Sequence, residues 1–356
     1  MIIDIVLYAH TGQGGIETVL TIFNREMKNR GYKLRFFLAK EPKFKEWKDT
    51  LDNVIIYGSD CIDYDFDNLV EGYARELMKI EKPDIIIATG EMTSIAISKL
   101  AIEKLNLKNV KLISWTHLSL ANLPNLSILK CCDAHFVLSN SIANETSDVI
   151  GSNKNIYVLK NPVFDKNVDK IKLNDNGVLD LIYIGRLNYN QKRVDIILKA
   201  LSLFKHNNWK LRIIGNEEDK DYYKELAYIL NIEENIEWID WCKNPWEFIE
   251  QATALILSSD FEGTPMVLVE ALSRGLPVIS SNYKGVEDII IHNENGLIFE
   301  RGNYESLYKL LNDIYLGKCK LPKSEQCIQS VLDQRIDHAI DKFDKVLKHI
   351  RNNIRV

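Results

Sequence analysis

Along the first 160 residues, short runs of β-branched and aromatic residues alternate with stretches whose apolar positions recur at helical spacing. The strand-like runs are IDIVLYA (3–9), KLRFFLA (33–39), NVIIYG (53–58), DIIIATG (84–90), VKLISW (110–115), AHFVLS (134–139) and NIYVLK (155–160). Helical patterns fall at 16–29, 68–80, 93–105 and 141–150. Apolar strands alternating with helices predict an α/β fold whose parallel sheet is covered on both faces.

Lys160-Asn161-Pro162 closes that series, and a polar, lysine-rich stretch runs from Asp165 to Asn176. A second series then opens with LDLIYIG (179–185) and continues through KLRIIG (210–215), IEWI (236–239), ALILSS (254–259), PVISS (277–281) and GLIF (296–299). The pattern therefore predicts two doubly wound, Rossmann-like domains facing across a cleft, 1–162 and 163–330. Ligands of such sheets bind beyond the carboxyl ends of the strands. In 331–356, apolar residues at 332, 336, 339, 340, 343, 346, 347 and 350 form one stripe, which predicts an amphipathic helix packing back on the N-terminal domain.

Composition narrows the class. With 356 residues, 46% hydrophobic and 27% charged, the chain is long enough for two cores and ordinary for a globular protein. A formal net charge of −5 gives no general pull toward nucleic acid. The six cysteines show neither zinc spacing nor the density of a disulfide framework, so a reducing cytoplasm is expected. MIIDIVLYAH lacks a basic leader and reads as a first strand, not a signal peptide. No apolar run approaches the roughly 20 residues that span a bilayer, so any work at a membrane is expected from its surface.

Four junctions carry candidate chemistry. In HTGQGGIE (10–17), Gly12, Gly14 and Gly15 permit close backbone approach, and a helix from Ile16 would aim free amides at an anion. The dinucleotide pattern G-x-G-x-x-G fails because Glu17 holds the third glycine's place, and a tight turn that binds nothing explains the same residues. In YIGRLNYNQKRVD (183–195), Arg186 and Lys192 bracket a loop at a strand's carboxyl end, where a fork and a point charge could neutralise a diphosphate without a metal. A solvated basic loop is the plainer alternative. His117 follows the strand end Ser114-Trp115-Thr116 and suits hydrogen bonding or proton handling, or simply a satisfied histidine at a sheet edge.

The fourth junction is SSDFEGTPMVLVEALSRGLPVISS (258–281). Thr264 is predicted as N-cap and Pro265 as the first helical residue, which leaves Glu262 in the loop and Glu270 inside the helix. Unpaired amides near Thr264 to Val267, Pro265 itself having no N–H, border a helix start that would face an anion, and Gly263, Thr264, Pro265, Met266 and Val267 are the candidate donor-binding stretch. Glu262 can reach sugar hydroxyls or a reacting carbon. Glu270, among apolar neighbours, needs a partner such as the vicinal hydroxyls of a ribose; a partly exposed helix flank is the alternative. The overlapping D-x-D triplets of DYDFD (63–67) are read as an acidic loop and helix cap and not as a metal site.

Taken in chain order, Gly14-Gly15-x-Glu17, His117, Gly185-Arg186 with Lys192, and Glu262-x7-Glu270 resemble a retaining glycosyltransferase of family 4, with the GT-B fold. Within that family GGIETV (14–19), SWTHLSL (114–120), GRLNYNQKRVD (185–195), the Pro245-Trp246 pair and FEGTPMVLVEA are most similar to the bacterial lipopolysaccharide 1,6-galactosyltransferases. The resemblance implies a UDP-sugar as donor substrate, UDP-galactose first, with no cofactor and no metal. It implies that Arg186 and Lys192 grip the diphosphate, Glu270 binds the ribose, Glu262 approaches the donor sugar, His117 lies near the anomeric carbon, and the Gly14-Gly15 backbone lies by the phosphates. Glu17 matches a family acid on the donor side. The acceptor implied is a hydroxyl of a cell-surface glycan or lipid-linked glycan, met in the cytoplasm or at the cytoplasmic face of the inner membrane.

Arg193 stands where many relatives have Gly, and Asp240 where a Gly is common near the expected nucleotide base. UDP-glucose or a UDP-N-acetylhexosamine is the alternative donor. An oxidoreductase with two Rossmann-like domains would need the glycine pattern that fails here. A non-catalytic GT-B binding protein would not need Arg186, Lys192, Glu262 and Glu270 together. EPKFKEWK (41–48) and LSLANLPNLSILK (118–130) fit either a lipid surface or an ordinary solvated helix with its buried side.

Overall fold

The computed structural model describes residues 1–8, 10–58, 65–174, 177–206, 208–215 and 219–352. The chain divides into two compact units, Met1–Val163 with Gln334–Val356, and Phe164–Asp333. The first comprises β1 (Ile2–Leu7), α1 (Gly15–Asn29), β2 (Lys33–Leu38), β3 (Val54–Ile56), α2 (Phe66–Met78), β4 (Ile85–Thr89), α3 (Met92–Lys104), β5 (Lys111–Thr116), β6 (Ala134–Val137), α4 (Asn140–Ile150) and β7 (Ile156–Val158). The second comprises β8 (Lys172–Leu173), β9 (Leu179–Ile184), α5 (Tyr189–Lys192), α6 (Val194–Ser202), β10 (Trp209–Ile214), α7 (Lys220–Ile229), β11 (Ile236–Ile239), β12 (Gln251–Ala252), β13 (Ala254–Leu257), α8 (Met266–Ser273), β14 (Val278–Ser281), β15 (Gly296–Phe299), α9 (Tyr304–Tyr315) and α10 (Ser324–Ser330). The last helix, α11 (Ile336–Asn352), belongs to the first unit.

Unit 1 is a seven-stranded sheet in the order β3-β2-β1-β4-β5-β6-β7, and every pairing is parallel. The predicted strands 53–58 and 155–160 shrink to three residues each, because they are the two edges and pair on one side only. Helix α11 supplies part of the core. Phe343 packs against Phe23, Trp115 and Phe136 at centroid distances of 5.3, 5.1 and 5.9 Å. Its polar flank is tied down by Tyr32 Oη donating to Asp344 Oδ1 (2.5 Å) and by the Arg30–Asp341 ion pair (2.5 Å).

The segment around 41–48 becomes a 3-10 turn, Lys45–Thr50, with Trp47 buried and its Nε1–H donating to the Glu17 carbonyl (3.0 Å). The segment 118–130 forms two 3-10 turns, Leu120–Asn122 and Leu126–Cys131, split at Pro124, which cannot continue a helix. Leu120 and Leu129 are buried in the unit's core. Of the acidic DYDFD stretch, Asp63 and Tyr64 lie outside the described residues, and Asp65 precedes α2 without a side-chain cap bond.

Unit 2 has a six-stranded sheet, β11-β10-β9-β13-β14-β15, again with parallel pairings, beside the two-stranded β12-β8 ladder. The ends of β9 and β10 approach so closely that a Cβ on Gly215 would lie 1.9 Å from the Gly185 carbonyl oxygen, which only glycine permits. Each unit buries an Asp–Arg pair between its first two long strands. Arg35 Nε and Nη2 donate to Asp4 Oδ1 and Oδ2 (2.6 and 2.9 Å), and Arg212 Nη2 lies 3.0 Å from both oxygens of Asp180. Burial raises Asp4 to about 6, with Arg35 opposing.

Candidate active site

In unit 1, β1 delivers the glycine-rich turn to the carboxyl edge of the sheet. Phe44 N donates to the Thr11 carbonyl (2.9 Å), and a Cβ on Gly12, at φ 89°, would meet the Phe44 carbonyl oxygen at 2.3 Å. Gly14 caps α1 and Gly15 opens it, one residue earlier than the pattern predicts. Glu17 turns back on this loop, where its Oε1 accepts from the amides of Thr11 and Gly12, each at 3.1 Å. In the structure its carboxylate holds the glycine turn in shape.

His117 is buried just beyond β5, an interior strand and not a sheet edge, with its ring 4.9 Å from Trp115. Burial pulls the imidazole down to about 3, so it is neutral at physiological pH. Its Nε2 has no hydrogen-bond partner. A neutral imidazole can donate from one ring nitrogen and accept at the other, and with Nε2 unpartnered beside an interior strand the satisfied sheet-edge histidine is not what the structure has.

In unit 2, β9 ends at Ile184 and the chain turns through Gly185 and Arg186 into α5, which Asn188 caps by accepting from Gln191 N (3.2 Å). Lys192, the last residue of α5, donates from Nζ to Glu262 Oε1 at 2.6 Å, with only 12% and 7% of the two side chains accessible. Ser259 Oγ donates to the same carboxylate oxygen (2.5 Å), and Gln191 Nε2 lies 3.4 Å from Oε2. The same glutamine accepts weakly from Arg186 Nη2 (3.4 Å), while the Arg186 side chain stays exposed. Arg186, Lys192 and Glu262 are thus brought together, with Gln191 and Ser259 between them. Lys192 is committed to Glu262 and is not the isolated cation that its loop position suggests.

Arg193 explains how the chain manages without the expected glycine. It adopts the left-handed conformation (φ 50°, ψ 45°) that glycine takes easily. Its guanidinium bonds Asp195 Oδ1 (3.0 Å) and Asp260 Oδ2 (2.9 Å). Hydrogen bonding to Asp195 is the main reason its pKa is raised. Asp260 N also donates to the Gln191 carbonyl (2.8 Å), and Ser258 Oγ lies within 2.9 Å of the Lys192 and Arg193 carbonyls. The loop that carries Glu262 is therefore laced to α5 on both sides.

Helix α8 starts at Met266, and Pro265 (ψ 104°) is its cap, in place of the predicted Thr264 cap with Pro265 helical. The reason is local: the first helical bond runs from Leu268 N to the Pro265 carbonyl, so Pro265 stays half outside while its oxygen accepts. Met266 and Val267 hold amides of the kind every helix start leaves over. Glu270 lies one turn in, and its partner is the Trp246 indole, whose Nε1–H donates to Oε2 at 2.8 Å. Burial raises the pKa of Glu270, and the indole bond and Arg274 oppose the rise. Asp240 is exposed and paired with Lys220, whose hydrogen bond lowers its pKa. Among the described residues no group of three His, Cys, Asp or Glu side chains is placed to hold a metal.

Gln191, Ser259 and Asp260 escaped the sequence reading, and Trp246 entered it only through the resemblance, with no role. Gln191 sat beside the singled-out Lys192, and Ser259 and Asp260 sat in the same phrase as Glu262, so adjacency was the signal available. The partnership of Trp246 with Glu270, 24 residues apart, had none.

The family model of "Glycosyl transferases group 1" matches residues 164–331. The lipopolysaccharide 1,6-galactosyltransferase of Escherichia coli (strain K12) is 30% identical over 93% of this chain and 96% of its own. The chain belongs to the group 1 glycosyl transferases. Among solved structures, this glycosyl transferase is similar to the lipopolysaccharide outer core galactosyltransferase WaaB in its apo form, with TM-score 0.87 and 25% identity over 98% of this chain and 100% of that one. It shares its fold with Anabaena Alr3699/HepE, whose structure is a complex with UDP, at TM-score 0.79 and 15% identity over 98% and 100% of the two chains. Two Rossmann-like units of the GT-B type are what such a transferase is built from, and Arg186, Lys192 and Glu262 sit in the unit that contains the family match.

Proposed function

We propose that this glycosyl transferase moves a hexose, galactose first, from a UDP-sugar to a hydroxyl of a cell-surface glycan, keeping the anomeric configuration. The observation that carries the proposal is the Lys192–Glu262 pair at 2.6 Å, next to the exposed Arg186. An ammonium suits a departing diphosphate, and a carboxylate held beside it suits the positive charge that develops on the anomeric carbon. The lipopolysaccharide galactosyltransferase relative supports the choice of sugar and acceptor class.

Transfer breaks the bond between the anomeric carbon and a β-phosphate oxygen, and the electron pair leaves with UDP. Arg186, Lys192 and the amides of Met266 and Val267 take up that charge with no metal. The acceptor oxygen then bonds the anomeric carbon on the face that UDP leaves. Glu262 serves either as a nucleophile that holds the sugar covalently or as the charge partner of a front-face ion pair. In either route the acceptor proton passes to the departing phosphate, and in the first the bond between Glu262 and the anomeric carbon breaks as the acceptor oxygen attaches. Glu270 accepts from the ribose hydroxyls, and neutral His117 offers a hydrogen bond to the donor sugar. Phe164–Asp333 is read as the nucleotide-sugar unit and Met1–Val163 as the acceptor unit.

The acceptor class supports reading the enzyme's work as done in the cytoplasm or at the cytoplasmic face of the inner membrane. Among the described residues no helix is long and apolar enough to cross a membrane.

The test is a donor screen of UDP-galactose, UDP-glucose, UDP-N-acetylglucosamine and UDP-N-acetylgalactosamine followed by UDP release, with and without truncated lipopolysaccharide cores. Fastest release from UDP-galactose, accelerated by a core acceptor, is the expected result. Faster release from another donor would reassign the sugar.

A further inference from the structure

Trp246 lies in a 3-10 turn, Pro245–Phe248, remote in sequence from the residues discussed for the reaction. Two contacts join it to α8 and its C-cap Arg274, and a third ties that cap back to Glu270. Its Nε1–H donates to Glu270 Oε2 (2.8 Å), the Arg274 guanidinium sits over its ring at 4.5 Å, and Arg274 Nη1 donates to the Glu270 backbone carbonyl (3.1 Å). Arg274 thus holds both the ring that faces the carboxylate and the backbone that carries it. We propose that Trp246 is a positioning residue for the nucleotide sugar, fixing the Glu270 carboxylate through one oxygen so that the other faces the ribose hydroxyls. This rests on the reading of Glu270 as the ribose-binding residue.

An indole N–H is a donor only and carries no charge. The indole therefore orients the Glu270 carboxylate without neutralising it, while Arg274, whose guanidinium contacts the ring and the backbone carbonyl, adds positive charge nearby. A carboxylate kept in that condition accepts strongly from incoming hydroxyls, and a ligand that lacks a hydroxyl leaves it short of a donor. The direction in which burial pushes Glu270 agrees, since removing the indole bond takes away a contribution that lowers its pKa. A ring that merely filled space beneath Arg274 would have no effect on ribose recognition.

The experiment uses the full chain and calorimetric binding of UDP and 2′-deoxy-UDP to the parent protein, Trp246→Phe and Glu270→Gln. Phe keeps an aromatic face for Arg274 and deletes only the N–H. UDP is expected to bind the Trp246→Phe variant about tenfold more weakly, the scale of one lost hydrogen bond to a charged group. The parent's preference for UDP over 2′-deoxy-UDP is expected to shrink several-fold. The acid limb of UDP binding should move to higher pH, because Glu270 must be ionised to accept and would hold its proton longer.

Parent-like affinity, parent-like discrimination and an unmoved pH profile in a folded Trp246→Phe would overturn the proposal. If Glu270→Gln also binds both nucleotides as the parent does, the failure lies with the reading of Glu270 itself. Should Trp246→Phe melt early, the indole N–H resonance of Trp246 in otherwise unaltered protein decides. A resonance slow to exchange that shifts on adding UDP supports the proposal, and one indifferent to UDP contradicts it.

Discussion

Lys192 Nζ lies 2.6 Å from Glu262 Oε1, so the cation and the acid with the clearest chemical roles neutralise each other before any ligand arrives. Both side chains are largely buried, and a pair of that kind is costly to break from one side. Lys192→Met strands the carboxylate with Ser259 and Gln191 alone and should destabilise unit 2 by about 3 kcal/mol. Adding Glu262→Gln should return much of that loss while leaving transfer abolished. Thermal melts of the two single variants and the double variant, with UDP release measured in parallel, check it. Equal, additive losses of stability would mean that the two groups do not interact as described.

The strand–helix alternation was readable because buried parallel strands are uniformly apolar and their helices are not. The ends of Val54–Ile56 and Ile156–Val158 were not readable, since an edge strand stops where its single neighbour stops. Arg186, Lys192 and Glu262 could be picked from the sequence by their places at strand ends. Their pairing could not, because it depends on the loop at Asp260 folding onto α5. The Asp4–Arg35 and Asp180–Arg212 pairs show the same limit. The second residues of IDIVLYA and LDLIYIG and the arginines of KLRFFLA and KLRIIG stand in matching places. An aspartate in an apolar strand nevertheless reads as solvent-facing until the neighbouring strand is known.

Arg193 spends a left-handed conformation to place a guanidinium between Asp195 and Asp260. Arg193→Gly removes about 1 kcal/mol of backbone strain and the two carboxylate contacts together, so the melting temperature should change little. Turnover should fall about tenfold, an estimate from the rate cost of misplacing a catalytic group, as the loop carrying Glu262 loosens from α5. The measurement is kcat with donor saturating, for Arg193→Gly, Asp260→Asn and the pair. The two losses should not add, because both cut the same contact.

His117 and His135 are both buried, and burial pulls them down to about 3 and about 4. Unfolded, each binds its proton near pH 6.5. Between that pH and the folded value the unfolded chain holds the extra proton, so stability drops as pH falls. The slope is about 1.4 kcal/mol per pH unit for each histidine. Denaturant unfolding from pH 7.5 to 5 should therefore be less steep in pH for His135→Gln than for the parent. Parallel curves would show that His135 is protonated in the folded protein. His135 meets Ser114 Oγ at its Nδ1 (2.8 Å), a contact Gln can keep.

The most direct test of the central claim is UDP release from UDP-galactose by the parent chain, Glu262→Gln and Arg186→Ala, each confirmed folded. The account predicts steady release from the parent and a loss of about a hundredfold or more in either variant, the scale expected when one charge-stabilising contact is removed from a transition state. Parent-like turnover in either variant would contradict it.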